Sequence, residues 1–256
     1  MESTYGDRNH RSFKETATEF AEIVRTASEQ GGKILVPTFA IGRAQTLVVL
    51  LAWLFRKKEV KPFPIYLDSP MAVEASKIYL KHPELWHERL KEIVRERPLR
   101  EELTATKSRL CVSAAESKAL NDVKGTCMIL AGAGMCNAGR ILHHLRNNVS
   151  KEETSVLIVG YQGPGTAGRA LVEGAETIRI FGEKTIVRAS VHSLGGFSAH
   201  GGQSELLNWL SPMVYCRPRV FLTHGEARGR ESLAACIEQR FQIKPGLPGY
   251  RDVMEV

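Results

Sequence analysis

Short, continuous apolar runs alternate with helical patterns along most of this chain, and this alternation limits the fold more than any other feature. The apolar runs are residues 33–37, 63–68, 109–113, 126–132 and 155–161. Residues 13–32 and 42–58 have the spacing of amphipathic or buried helices. Unbroken apolar strands joined by helices are typical of a parallel sheet that is covered on both faces. We therefore predict an α/β fold with a mostly parallel sheet flanked by helices.

The pattern changes after about residue 176. Residues 176–194 resemble a hairpin with its turn at Gly182-Glu183. Beyond it the sequence predicts a helix at 203–210, a strand at 219–223, a helix at 226–240 and a last strand at 252–256. We expect a domain boundary near residue 190.

The composition is that of a globular protein with a basic surface. Of the 256 residues, 43% are hydrophobic, and the net charge of +7 favours a polyanionic partner such as nucleic acid, although a basic surface without such a role fits equally well. The five cysteines form no C-x-x-C pair, which argues against a disulfide framework or a cysteine zinc site and for a reducing, cytoplasmic location. We expect no membrane-spanning segment, because no apolar run reaches about 18 residues.

Two glycine-rich turns each follow a predicted strand and open a helix. They are "GAGMCNAGR" at 132–140 and "GYQGPGTAGR" at 160–169. Such turns present free backbone N–H groups that favour phosphate, although glycine can also serve only the backbone angles of a tight turn. The first turn is one residue too long for the dinucleotide fingerprint. We predict that a phosphodiester backbone contacts Arg43, Gly134, Asn137, Arg140, Gly165, Thr166 and Arg169.

Two histidines stand out among the eight. His200 and His224 each follow an apolar, strand-like segment and precede a glycine and a helix, so we expect both at the same sheet edge. One imidazole there could bind zinc while the other donates a proton. A hydrolytic zinc site needs three protein ligands, and the sequence contains no H-x-H, H-x-x-x-H or H-x-x-E-H motif. The remaining ligands must come from elsewhere, or there is no metal.

Seven blocks of the sequence occur in the order found in one known family. The chain resembles the β-CASP branch of the metallo-β-lactamase superfamily, which comprises RNA-processing nucleases, and the bacterial members are the most similar. The blocks are "ESTYGDRNHR", "VPTFAIGRAQTLVVLL", "PIYLDSPMA", "AGAGMCNAGRILHHL", "VLIVGYQGPGTAGRAL", "GGFSAHGGQSELLNWL" and "FLTHGE".

This resemblance implies a domain organisation and a set of site residues. Residues 10–190 would form the β-CASP domain, and residues 191–256 together with 1–9 would form the C-terminal segment of a metallo-β-lactamase domain. Glu2 falls on the family's acidic motif, His200 on the catalytic histidine that pairs with it, and His224 on a late zinc-ligand histidine. The implied activity is hydrolysis of RNA phosphodiester bonds by a site with two zinc ions.

The family's H-x-H-x-D-H motif, a further ligand histidine and a bridging aspartate lie upstream of the "ESTYG" block. The resemblance therefore implies that this chain lacks the N-terminal metal-binding motifs. We expect the chain alone to be inactive, to hold zinc partially or not at all, and to expose an apolar face that could drive homo-oligomer formation.

Two other functions fit the sequence. The chain could be a non-catalytic RNA-binding or assembly module, because one ligand histidine cannot hold zinc tightly. It could also be a nucleotide-binding α/β protein, which the glycine turns suggest and their spacing disfavours.

Overall fold

A computed structural model describes residues 1–96 and 98–254. These residues form two compact units. The larger unit is Phe13–Phe197, and the smaller combines Met1–Ser12 with the chain from Ser198 onward. The compact units change at residues 12–13 and 197–198. The division into domains at residues 10 and 190 stays a prediction.

The larger unit is built from alternating helices and strands. Its α-helices within the described residues are α1 (Phe13–Gln30), α2 (Arg43–Arg56), α3 (Pro70–Lys81), α4 (Glu88–Glu96), α5 (Leu99–Ala105), α6 (Ala114–Ala119), α7 (Arg140–Asn148) and α8 (Ala167–Val172). Its strands are β1 (Lys33–Pro37), β2 (Ile65–Asp68), β3 (Arg109–Leu110), β4 (Cys127–Ala131), β5 (Ser155–Ile158), β6 (Thr177–Ile180), β7 (Glu183–Ile186) and β8 (Ser190–Ser193).

Six of these strands form one parallel sheet in the order β3-β2-β4-β1-β5-β8, while β6 and β7 pair as a separate antiparallel hairpin. Successive side chains of a strand point to opposite faces. Accordingly, Ile34 and Val36 pack in one core with Leu47 of α2, whereas Leu35 packs in the other core with Leu145 of α7. This confirms the predicted α/β class and explains why the strand sequences are apolar without interruption.

The strand order creates a switch point beside the central strand. From β1 the chain runs through α2 to β2, toward one edge of the strand order. From the neighbouring strand β5 it runs through α8 and the hairpin to β8, at the opposite edge. In open α/β sheets, ligands bind outside the carboxyl ends of the strands at such a point. The loops that follow β1, β4 and β5 therefore form the candidate binding edge of this unit.

The smaller unit has its own apolar core. Its helices are α9 (Gln203–Leu210) and α10 (Ala227–Phe241), and a short 3-10 helix lies between them. Leu207 of α9, Leu233 and Ile237 of α10, and Leu222 pack together. Met1 and Val220 also pack against this core.

Several predicted elements differ from the structure. The hairpin turn lies at Phe181-Gly182, and β8 joins the large sheet beside β5. The predicted strand at 219–223 was wrong, because that segment forms only isolated bridges. Residues 252–254 are not a strand, and residues 255–256 of that predicted strand lie outside the described residues. The described part of the chain contains no helix with the length and apolar character needed to span a membrane.

Candidate functional site

The N-terminal segment lies alongside the segment that carries His224. Glu2 and Thr223 form a parallel bridge, and the amide of Thr223 donates to the carbonyl oxygen of Met1 over 3.0 Å. The hydroxyl of Ser3 donates to the carbonyl oxygen of Thr223 over 2.8 Å. These contacts bring residues from opposite ends of the sequence next to each other.

Gly225, the residue after His224, lies so close to the N-terminal segment that a side chain would not fit there. A Cβ atom at Gly225 would lie 2.5 Å from Ser3 Oγ and 2.6 Å from the Ser3 carbonyl oxygen. His224 itself has a left-handed backbone with a φ of 54°, a conformation that histidine tolerates better than most residues. The local sequence thus permits a sharp turn that presents the imidazole beside the N-terminal segment.

Glu2 and His200 form a carboxylate–imidazole pair. Nδ1 of His200 lies 3.1 Å from Glu2 Oε2, and because a carboxylate only accepts, the ring nitrogen is the donor. Backbone amides fix the carboxylate, since the amide of Gly201 donates to Oε1 over 3.0 Å and that of Thr4 donates to Oε2 over 3.1 Å. Nε2 of His200 is left as the reactive nitrogen.

Glu2 is ionised in this arrangement. Partial burial raises its pKa, but the hydrogen bonds from Thr4 and Gly201 and the charge of His200 outweigh burial, so the pKa of Glu2 lies below its usual value. The ionised carboxylate therefore accepts the Nδ1–H of His200 and fixes the orientation of the ring.

Thr4 orients the second imidazole. Its hydroxyl donates to the carbonyl oxygen of His224 over 2.8 Å, and the same oxygen lies 3.2 Å from Nδ1 of His224. Because the hydroxyl proton is used by the carbonyl, Oγ1 acts as the acceptor and Nδ1 of the ring carries the proton. Nε2 of His224 then has a free lone pair, which is the state that binds a metal ion.

The three side chains lie close together. The ring centroids of His200 and His224 are 5.1 Å apart, and Glu2, His200 and His224 each offer a ligand atom within 4.8 Å of the others. Carboxylate oxygens and imidazole nitrogens are ligands that zinc accepts, so the residues fit this metal. Within residues 1–96 and 98–254, no other group of three such side chains has this spacing. His200 does not follow a strand as expected, because a 3-10 turn at Gly195–Phe197 precedes it.

The two glycine turns of the larger unit are joined to each other. The side-chain amide of the buried Gln162 donates to the carbonyl oxygen of Gly134 over 2.9 Å, and the amide of Gly168 donates to that of Met135 over 3.2 Å. Both turns follow strands that flank β1, so they meet above its carboxyl end. Asn137 and Gly165 are exposed there.

Three of the side chains predicted to contact phosphate already form hydrogen bonds with other residues of the protein. Arg140 donates to the buried Asp68 over 2.7 Å, and Arg169 donates to Glu173 over 2.6 Å. The Thr166 hydroxyl donates to the carbonyl oxygen of Gly163 and accepts from the amide of Arg169.

Arg43, the first residue of α2, has a different environment. Its guanidinium carbon lies 5.6 Å from the centroid of the Phe197 ring, and no described residue forms an ion pair with it. Partial burial lowers the pKa of Arg43, because the protein replaces part of its hydration shell. A half-buried cation without an acidic partner is suited to receive an anion.

Sequence reasoning missed three residues that shape these surfaces. Thr4 sets the tautomer of His224. The sequence indicated it only as a hydroxyl-bearing residue inside the "ESTYG" block. The ring of His10 contacts the carbonyl oxygen of His200 through Nε2 over 3.1 Å. Phe39, two residues beyond the end of β1, is 56% exposed, and only the structure shows that a Cβ atom at Gly134 would lie 3.0 Å from its ring.

The six-stranded parallel sheet flanked by helices defines the larger unit as an α/β fold. Residues 44–171, half of the chain, match the Beta-Casp domain, and residues 185–248 match the Zn-dependent metallo-hydrolase RNA specificity domain. The chain belongs to the Beta-Casp family, which confirms the resemblance identified in the sequence.

Three relatives illustrate this membership. Ribonuclease TTHA0252 of Thermus thermophilus is 40% identical over 94% of this chain and 54% of its own length. Transcription termination factor FttA of Pyrococcus horikoshii is 30% identical over 100% of this chain and 40% of its own length. An RNase J-like protein of Methanocaldococcus jannaschii is 29% identical over 97% of this chain and 56% of its own length. The chain thus spans about half the length of the curated relatives it matches.

Proposed function

We propose that this chain supplies the RNA-binding unit and part of the catalytic site of a zinc-dependent ribonuclease that hydrolyses RNA phosphodiester bonds. The family description names zinc and RNA, and one relative is named as a ribonuclease. The net charge of +7 suits a polyanionic substrate. In this proposal, the unit Phe13–Phe197 is the β-CASP domain and the smaller unit is part of a metallo-β-lactamase domain.

The observation that carries the proposal is the contact between Glu2 and His200. Glu2 accepts from Nδ1 and holds the ring so that Nε2 faces away from the carboxylate. Protonated His200 can then donate a proton from Nε2 to the departing oxygen of the RNA, and the ionised Glu2 stabilises the imidazolium before this transfer. Such general acid catalysis raises the reaction rate by about 10²- to 10⁴-fold.

His224 is the residue that would hold zinc through Nε2. Zinc supplies Lewis-acid activation of water and of the phosphate group. We propose two zinc ions in a protein as long as the relatives. In this proposal His200, paired with Glu2, serves as the general acid, which leaves His224 as the imidazole assigned to zinc within the cluster of Glu2, His200 and His224.

The proposed RNA path follows the carboxyl edge of the large sheet. Arg43 has no acidic partner among the described residues and is the strongest of the predicted phosphate contacts. The loops after β4 and β5 lie at the same edge of the sheet as the loop after β1, and the strand order has its switch point there.

The test is hydrolysis of a single-stranded RNA in the presence of zinc. The chain alone is compared with a chimaera in which it replaces the matching 54% of the Thermus relative. We expect activity only in the chimaera, and a loss of about 10²-fold or more in its His200→Ala and His224→Ala variants. His87→Ala, at an exposed position, is the control. Unchanged turnover in both site variants would contradict the proposal.

A second candidate function is a non-catalytic RNA-binding or assembly module. It is favoured by the single three-residue metal group among the described residues. Metal analysis of the purified chain distinguishes the two functions, since a module of this kind would hold fewer than two zinc ions while still binding RNA.

Self-association stays a prediction. The smaller unit exposes several large apolar side chains, which are Trp209, Tyr215, Tyr250 and Val253, with exposed fractions of 62%, 86%, 90% and 91%. Exposed apolar surface of this kind is often covered by a partner. Sedimentation velocity over a range of concentrations tests this, and a strictly monomeric chain would contradict it.

A further inference from the structure

The carboxyl edge of the large sheet carries an aromatic ring that the phosphate contacts do not use. Phe39 follows β1 after one residue, and 56% of its surface is exposed. Ile41, two residues later, is 63% exposed. A phenylalanine two residues beyond a buried strand could turn inward, so its exposure beside a predicted binding loop points to a ligand.

The ring is held in place by the neighbouring loop. A Cβ atom at Gly134 would lie 3.0, 3.1 and 3.4 Å from three carbon atoms of the Phe39 ring. The absence of a side chain at Gly134 therefore lets the backbone of the β4 loop pack against the ring. Contact with the β4 loop limits the motion of the ring although more than half of its surface faces solvent.

The chemistry around the ring suits one ligand class. The cation of Arg43 lies four residues further along the same loop and helix start, and it has no acidic partner among the described residues. A nucleotide carries both groups that this edge can bind, a phosphate for the cation and an apolar π-face for the ring. Base stacking on an aromatic side chain tolerates any sequence, because every base has a π-face.

We infer that Phe39 is a stacking platform for one unpaired nucleobase of the RNA, placed on the carboxyl edge between the loops that follow β1 and β4. This inference rests on the proposed function and deepens it, since a base can stack on Phe39 only when it has left a helical stack. The site therefore selects single-stranded RNA over duplex RNA without reading its sequence.

The alternative occupant of an exposed apolar edge is a protein surface. Phe39 and Ile41 are also the kind of residues that protein interfaces bury. The glycine turns and Arg43 on the same edge favour RNA, because an apolar protein contact gains nothing from an unpaired cation.

The experiment measures binding of a 5′-labelled 12-nucleotide oligouridylate to the complete chain by fluorescence anisotropy at low salt. Phe39→Ala is expected to raise Kd at least fivefold, and Phe39→Tyr, which keeps the ring, is expected to stay within about twofold. Phe181→Ala is the matched control, because Phe181 is 50% exposed but lies on the hairpin of β6 and β7. Equal unfolding midpoints show that the variants fold.

Two further probes isolate stacking from charge. An abasic strand of the same length should bind Phe39→Ala and the unmodified chain equally. A 2-aminopurine base in the oligonucleotide should lose fluorescence on binding to the unmodified chain and keep it with Phe39→Ala.

The outcomes separate this inference from the proposed function. Suppose that Arg43→Ala weakens RNA binding, while Phe39→Ala shows the same Kd and the same 2-aminopurine fluorescence as the unmodified chain. Phe39 is then not a stacking platform, and the proposed function stands. Unchanged RNA binding together with reduced self-association of Phe39→Ala would assign the ring to a protein contact and also overturn the inference. Failure of the unmodified chain to bind any RNA would overturn both.

Discussion

Thr4 Oγ1 lies 3.2 Å from Nδ1 of His224 and 2.8 Å from the carbonyl oxygen of the same residue. One hydroxyl thus fixes both the backbone and the ring of a histidine that belongs to the proposed metal site. Partners of this kind set which imidazole nitrogen is free for a metal, and their loss typically costs 10- to 100-fold in metal affinity, roughly.

Thr4→Val should change the tautomer of His224. Without an acceptor at Nδ1, the neutral ring should shift toward the form protonated at Nε2, whereas Thr4→Ser should keep the Nδ1-protonated form. Long-range ¹⁵N–¹H NMR spectra at about pH 9, where imidazoles are neutral, report the tautomer directly. An identical tautomer in the valine variant would show that Thr4 does not hold the ring.

Arg43→Gln should weaken RNA binding in a salt-dependent way. Removing one phosphate contact lowers the slope of log K against log salt by about 0.7 for a single strand. The measurement is the Kd of a 12-nucleotide RNA over a series of NaCl concentrations. Arg25→Gln is the control, because Arg25 lies on the exposed face of α1 and donates to the carbonyl oxygen of Glu59. Equal slopes in the two variants would remove Arg43 from the interface.

The sheet and its binding edge could be predicted because they depend on local pattern. The continuous apolar runs that include Leu35 and Ile129 have one structural explanation, burial on both faces of a sheet. The glycine turns follow β4 and β5, and strand ends in a parallel sheet share an edge. Both features can be recognised within windows of a few residues.

The contacts inside the candidate site could not be predicted in this way. The pairing of Glu2 with Thr223 joins residues at opposite ends of the sequence, and no local pattern encodes it. The role of Thr4 depends on that pairing. Similarly, β8 is short and half-exposed, so only its position beside β5 identifies it as a sheet strand.

Asp68→Asn should destabilise the larger unit in a pH-dependent way. The buried Asp68 accepts from His144 Nε2 over 2.6 Å, from Ser117 Oγ over 2.6 Å and from Arg140 Nη1 over 2.7 Å. Burial raises the pKa of Asp68, but these hydrogen bonds outweigh it and the pKa lies below its ordinary value. The ionised carboxylate therefore stabilises the fold above about pH 4, the ordinary pKa, and this contribution is lost as pH falls through the lower folded pKa.

Urea unfolding from pH 7 to pH 3 measures this effect. We expect Asp68→Asn to lower the free energy of unfolding by about 3–5 kcal/mol at pH 7, and the difference to narrow below about pH 4. Glu183→Gln is the control, because its ion pair with Arg146 is exposed and should contribute no more than about 1 kcal/mol. A difference that stays constant over the whole range would mean that Asp68 is not held as an anion.

Gly225→Ala should disturb both the stability of the smaller unit and the position of His224. The new Cβ atom would lie 2.5 Å from Ser3 Oγ and 2.6 Å from the Ser3 carbonyl oxygen, so the N-terminal segment must move away. Overpacking of this kind costs about 1–3 kcal/mol.

Gly160→Ala is the matched control, because a Cβ atom there would have no described neighbour within 4 Å and the φ of Gly160 is not positive. Urea midpoints give the stability change, and the ring ¹⁵N shifts of His224 report whether the contact with Thr4 survives. If Gly225→Ala unfolds at the midpoint of Gly160→Ala and keeps those shifts, the close approach of Ser3 does not hold the histidine in place.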